Sequence, residues 1–157
     1  METERKWLVS RENIPYNLDE FPSEHIIQRY ISFSPTIRIR DINDGAAYIL
    51  TVKSSSGGLS REEFELPLTA EQYRFLSGKT EGHVIDKTRY SVYEPDHKYE
   101  IDIFHGELEG LIYLEIEFDS EEEAEEYPSP KWAGRDVSYD KAYSNAALAK
   151  NGLGRAE

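Results

Sequence analysis

The sequence contains no cysteine, which excludes disulfides, thiolate metal centres and cysteine nucleophiles. It has no apolar run near the roughly 18 residues that a membrane-spanning helix needs, and no apolar N-terminal stretch of signal type. Basic residues are scarce, with 18 Lys and Arg against 31 Asp and Glu and a formal net charge of −13. That excess of acid argues against DNA or general nucleic-acid binding and against attraction to anionic membranes. Histidine occurs four times, at His25, His83, His97 and His105, with no ligand-like spacing. Aromatic residues, by contrast, are plentiful: 11 Tyr, 6 Phe and 2 Trp supply enough apolar surface to argue against disorder. At 157 residues the chain reads as one domain, 1–157, soluble and cytoplasmic.

Period-two alternation dominates and predicts half-buried strands. Eight are expected, near Glu2–Val9, His25–Phe33, Thr36–Ile42, Ala46–Lys53, Ser60–Pro67, Glu81–Val92, Lys98–His105 and Leu111–Phe118. Hairpin-length breaks fall at Ser34-Pro35, Asn43-Asp44-Gly45, Ser54–Leu59 with Gly57-Gly58, Glu94-Pro95-Asp96 and Gly106–Gly110, so neighbours pair antiparallel as a meander. Helices are few. One is expected over Thr69–Leu76 with Thr69 as N-cap, one over Ser120–Tyr127 with a Ser120-x-x-Glu123 box, and one near Ser138–Lys150. The acidic run Glu121–Glu126 reads as a solvated helix face complementing the macrodipole.

The strands share one design, an apolar face and a charged face. Glu2, Glu4 and Lys6 point one way while Thr3, Arg5 and Trp7 point the other. Arg38 and Arg40 alternate with Ile37 and Ile39, Glu63 and Glu65 with Phe64 and Leu66, and Lys87 and Arg89 with Thr88 and Tyr90. Lys53 follows Thr51, Asp102 alternates with Ile101 and Ile103, and Glu115 and Glu117 alternate with Leu114, Ile116 and Phe118. A solvated sheet explains any one of these, but like charges at i and i+2 repel unless something of opposite sign lies between them. The fold class that resolves this is all-β-dominated (α+β): an eight-stranded antiparallel β-barrel, closed into a tunnel, with charge inward and a few helices covering the outside. So many enclosed charges require a wet, ion-binding cavity. Clustered carboxylates suit Mg²⁺ or Mn²⁺, and six Lys and Arg suit a polyanion with forked contacts to phosphate oxygens.

These residues resemble the CYTH superfamily, the triphosphate tunnel metalloenzymes. Glu2-Thr3-Glu4-Arg5-Lys6 reproduces the N-terminal ExExK signature. Arg38-x-Arg40, Lys53, Gly58-Leu59-Ser60-Arg61-x-Glu63-x-Glu65, Lys87-Thr88-Arg89-Tyr90, Asp102 within Glu100–Phe104, and Glu115-Ile116-Glu117 follow in order. Asp136-Val137-Ser138 and Tyr143-Ser144-Asn145-x-x-Leu148 are similar to the family's C-terminal helix. The resemblance implies that Lys6, Arg38, Arg40, Lys53, Lys87 and Arg89 hold phosphates. It implies that Glu2, Glu4, Glu115 and Glu117 hold divalent metal, with Glu63, Glu65 and Asp102 as further ligands or water positioners. Glu2, Glu4 and Lys87 are the catalytic candidates in metal-assisted attack of water on a terminal phosphorus.

Within the family, a short chain starting at the signature looks most like the inorganic triphosphatases, which yield diphosphate and phosphate. Class IV adenylyl cyclases usually carry a His-Phe pair where this chain reads Gln28-Arg29-Tyr30-Ile31-Ser32-Phe33. A thiamine triphosphatase would need an aromatic clamp, for which Trp132, Tyr139 and Tyr143 are candidates. A nucleoside triphosphatase and a non-catalytic triphosphate or nucleotide sensor are the remaining readings. An outward apolar barrel with few covering helices is also compatible with a homodimer.

Overall fold

The computed structural model describes residues 2–54 and 59–152. The Gly57-Gly58 break, and with it Gly58 of the Gly-Leu-Ser-Arg piece, lies outside the described residues. Nine strands form: β1 (Glu2–Leu8), β2 (Ser23–Phe33), β3 (Thr36–Ile42), β4 (Ala47–Lys53), β5 (Ser60–Arg61), β6 (Glu63–Leu68), β7 (Glu81–Tyr93), β8 (Lys98–Phe104) and β9 (Ile112–Glu117). They pair antiparallel in the order β5-β1-β9-β8-β7-β2-β3-β4-β6. The two ends of that order, β5 and β6, are consecutive in the chain. Ser60 and Arg61 pair with Thr3 and Glu2 of β1, whereas Glu63–Leu68 pairs with β4. One expected strand, Ser60–Pro67, is therefore split in two because it serves a neighbour on each side, which brings the sheet round into a nearly closed barrel. The meander holds for β2-β3-β4-β6 and for β7-β8-β9, but β1 lies between β5 and β9 and not beside β2.

The β3–β4 hairpin turns through Asn43 and Asp44, both at φ 54°, a conformation their short polar side chains tolerate. Three α-helices accompany the sheet: α1 (Ala70–Ser77), α2 (Glu121–Glu126) and α3 (Asn145–Asn151). Thr69 and Gln72 form a reciprocal capping box on α1, and Ser120 accepts from the Glu123 N–H to start α2. The third helix is shorter than the Ser138–Lys150 expected. Asp140 caps a 3₁₀ turn at Lys141–Tyr143, and Ser144 accepts from the Ala147 N–H, so the α-helix begins at Asn145.

Two apolar clusters hold the barrel. The outer one joins Trp7, Ile101, Leu114 and Ile116 from the outward faces of β1, β8 and β9, and Ile14, Phe21, Ala124 and Trp132 pack over it. The second lies on the inward face. Ile85, Phe104 and Tyr113 are two residues from Lys87, Asp102 and Glu115 and share their side of the sheet, and they pack with Tyr30, Tyr143, Leu148 and Ala149. One stretch of the barrel interior is thus apolar and holds the C-terminal segment, which the expectation of a uniformly charged interior missed. Gly82, at φ 70°, lets α3 lie close: a Cβ there would run into the Ala149 carbonyl.

Candidate active site

A cavity of about 320 Å³ opens on the charged part of the interior. Glu2, Glu4 and Lys6 of β1, Arg38 of β3 and Lys53 of β4 line it, as the alternation predicts. Arg61 of β5, and Ser138, Lys141 and Asn145 of the C-terminal segment, also line it and were missed. Arg61 stands in phase with Glu63 and Glu65 and could have been found; Ser138, Lys141 and Asn145 come from a loop, a 3₁₀ turn and the first residue of α3, where no strand alternation marks a face.

Behind the cavity lies a packed ionic network. Asp102 is fully buried, accepting from Lys87 Nζ at 2.8 Å and from Arg89 Nε and Nη2 at 2.7 and 2.9 Å. Although burial works against it, Arg89 and Lys87 hold the Asp102 carboxyl well below the usual carboxylate range. Burial pushes the Lys87 ammonium down to about 7, against the pull of Asp102. Lys87 also donates to Asn145 Oδ1 at 3.2 Å, which ties α3 to β7. Glu115 is buried 3.7 Å from Lys6 Nζ and 3.8 Å from Arg89 Nη2. Lys53 lies 2.7 Å from Glu2 and 3.5 Å from Glu63.

Two cations differ from the rest. Arg38 and Arg40 have no carboxylate within ion-pair distance among the described residues. Arg38 is 6% exposed, and its Nε is buried without a hydrogen-bond partner. Arg40 Nε donates at 2.7 Å to the neutral amide of Gln28. Burial, with Arg38 and Arg89 nearby, pushes the Arg40 guanidinium down to about 9. Such a pair is built to receive an anion.

The carboxylates show the opposite want. Burial, with Glu115 and Glu2 nearby, pushes the Glu4 carboxyl up to about 8. Glu117, exposed, faces Glu4 across β1–β9, and its carboxyl is also raised. Glu63 Oε2 and Glu115 Oε1 are buried without hydrogen-bond partners. Orphaned hard oxygens beside a carboxyl held protonated fit a divalent cation in chemistry. Among the described residues, however, no three Asp, Glu or His stand close enough to hold one as they are. Lysine ammoniums occupy the spaces between them. Of the other candidate ligands, Glu65 is exposed and accepts from Thr51 at 3.2 Å, and both Asp102 oxygens are taken up by β7. The aromatic-clamp candidates separate: Trp132 packs edge-on to Tyr16 in the outer cluster, Tyr143 is buried, and Tyr139 is 60% exposed at the cavity.

The model of the CYTH domain family matches residues 1–144. An inorganic triphosphatase of Nitrosomonas europaea is 40% identical over 151 residues, which are 94% of this chain and 96% of that protein. An inorganic triphosphatase of Acetivibrio thermocellus is 39% identical over 127 residues, 79% of each chain. The crystal structure of an inorganic triphosphatase superposes with a TM-score of 0.68 at 35% identity, covering 95% of this chain and 94% of that one.

Proposed function

The chain belongs to the CYTH domain family, and from that premise we propose that it hydrolyses inorganic triphosphate to diphosphate and phosphate within the barrel, with Mg²⁺ or Mn²⁺ as cofactor. The observation that carries this reading is the complementary want of the site. Among the described residues Arg38 and Arg40 have no carboxylate within ion-pair distance, while Glu63 Oε2 and Glu115 Oε1 have no hydrogen-bond partner and the Glu4 carboxyl is pushed up to about 8. A polyanion entering with a divalent metal satisfies both.

Arg38 and Arg40 bind phosphate oxygens, and Lys6 and Lys53 turn from Glu115, Glu2 and Glu63 onto the substrate as it enters. Arg89 and Lys87, anchored by Asp102, stabilise the charge that develops on the leaving diphosphate. When bound, the divalent cation neutralises phosphate oxygens and makes water a better nucleophile. Glu2, Glu4, Glu115 and Glu117 would hold it, with Glu63 and Glu65 as further ligands, while Asp102, its oxygens committed to Lys87 and Arg89, would act through those two side chains. Glu2, which despite its burial Lys53 keeps ionised, accepts the proton of the water as its oxygen bonds to the terminal phosphorus and the bridging P–O bond breaks, and Glu4 helps to orient that water. No helix among the described residues is long and apolar enough to cross a membrane. The reading carries with it a single tunnel domain working in the cytoplasm, away from DNA and membranes. Exposed Phe64, Leu66 and Phe75 are the surface on which a homodimer would form.

The test is phosphate release from inorganic triphosphate, ATP and thiamine triphosphate in parallel, with Mg²⁺, with Mn²⁺ and with EDTA. Fast release from inorganic triphosphate that EDTA abolishes is the expected result. Tight triphosphate binding without release from any substrate would overturn the hydrolase in favour of a sensor.

A further inference from the structure

Gln28 is a neutral side chain that meets Arg40 directly. It is fully buried in β2, directly across from Arg40 of β3. Its amide is used at both ends: the oxygen accepts from Arg40 Nε at 2.7 Å, and the nitrogen donates to the Tyr30 hydroxyl at 2.8 Å. These bonds fix which way the amide points. Tyr30 is 1% exposed among the inward apolar cluster, which locks the far end. Gln28 therefore holds the guanidinium by its Nε edge without neutralising it, two residues along β3 from Arg38 of the cavity lining, and leaves the Nη edge out of that hydrogen bond.

We propose that Gln28 is a positioning residue for substrate binding, an uncharged clamp that presents Arg40 to the phosphates with its full charge. This rests on the reading of the cavity as a triphosphate site. Charge, not shape, is what distinguishes glutamine here. Glutamate has the same length and would accept from Arg40 Nε in the same place, but it would form an ion pair with Arg40 and compete with the phosphate. The other charges facing the position are Arg38 of β3, Arg89 of β7 and Asp102 of β8. Asp102 is already shared between Lys87 and Arg89, so nothing else neutralises Arg40.

The test is calorimetric titration of the full chain with inorganic triphosphate in EDTA, so that neither metal nor turnover enters, together with thermal melting. Gln28→Glu is expected to melt at or above the wild-type temperature and to bind triphosphate at least tenfold more weakly. A merely structural Gln28 gives the reverse signature, a lowered melting temperature with unchanged affinity, and that result overturns the proposal. Gln28→Met removes both hydrogen bonds without adding charge; it is expected to weaken binding by a smaller factor, and it decides the matter if Gln28→Glu does not fold. Wild-type affinity in Gln28→Met would then overturn the clamp. Failure of the wild-type chain to bind triphosphate at all would instead sink the site reading beneath it, a separate and recognisable outcome.

Discussion

Two strands of the barrel carry the same motif, a pair of cations at i and i+2 facing inward, yet the structure uses them in opposite ways. On β7, Lys87 and Arg89 are paired. On β3, Arg38 and Arg40 are bare. The difference lies in the neighbours that register selects. Arg89 stands directly opposite Asp102, so one buried carboxylate serves both cations of β7. Arg38 faces Tyr30 on one side and Thr51 on the other, and Arg40 faces Gln28 and Ile49, with no acid among them. Cross-strand partners set the electrostatics of a sheet face as much as the residues themselves do. One side of the interior is consequently a self-satisfied ionic core, and the other carries two arginines with no acid across from either.

The sharpest way to break that contrast is to remove the shared carboxylate. Asp102→Asn leaves the fully buried Lys87 without a carboxylate and Arg89 with just its longer contacts to Glu100 and Glu115, and breaking a buried ion pair from one side costs about 3–5 kcal/mol. Thermal or urea unfolding is expected to show a loss of that size. A loss below about 1 kcal/mol would mean that β7 is hydrated and not the packed wall described.

Much of this was legible before any coordinates. Alternation alone assigned Glu2, Glu4, Lys6, Arg38, Arg40, Lys87, Arg89, Glu115 and Glu117 to a common face, because strand geometry allows a side chain just two directions. The difference in use between β3 and β7 was not legible, since it depends on which strands become neighbours. Nothing local in Arg38-Ile39-Arg40 or Lys87-Thr88-Arg89 announces that Asp102 will sit across from one and Gln28 across from the other. The bent strand Ser60–Leu68 was counted once for the same reason: its two pairings belong to two different partners. The C-terminal segment escaped because its role comes from Tyr143, Leu148 and Ala149 filling an apolar part of the interior, and no charge pattern marks it.

The bare wall gives the second prediction, with an effect on binding and less on folding. Arg40→Ala strands no carboxylate, just the Gln28 amide oxygen, so the melting temperature should fall less than in Asp102→Asn. A charge-assisted contact to phosphate contributes about 1.5–3 kcal/mol. Triphosphate affinity by calorimetry is therefore expected to fall by roughly 10- to 150-fold. Unchanged affinity would place the anion away from β3 and erase the distinction between the walls.

The smallest effect concerns the carboxylates that face the bare arginines. With the Glu4 carboxyl raised from 4.5 to about 8, the folded chain binds a proton there that the unfolded chain has already released across that interval. Stability must fall as pH rises through the window, because the native state holds more protons than the unfolded one. Asp102 and Glu115 shift the other way, and their contribution is lost in acid, below the ordinary carboxylate range, so they do not confound the window. His25 is raised, as are Glu63 and Glu117, and all three add to the same slope, whereas Lys87, pushed down to about 7, opposes it above that pH; the difference from Glu4→Gln isolates the Glu4 share. Water in the open cavity screens the effect to on the order of 1 kcal/mol between pH 5 and pH 8. In EDTA the wild-type melting temperature should decline across that range more steeply than that of Glu4→Gln. Divalent metal should remove the excess slope by substituting for the proton. Parallel slopes in EDTA would show that Glu4 already has its counter-charge without metal, leaving the want of a cation to Glu63 and Glu115 alone.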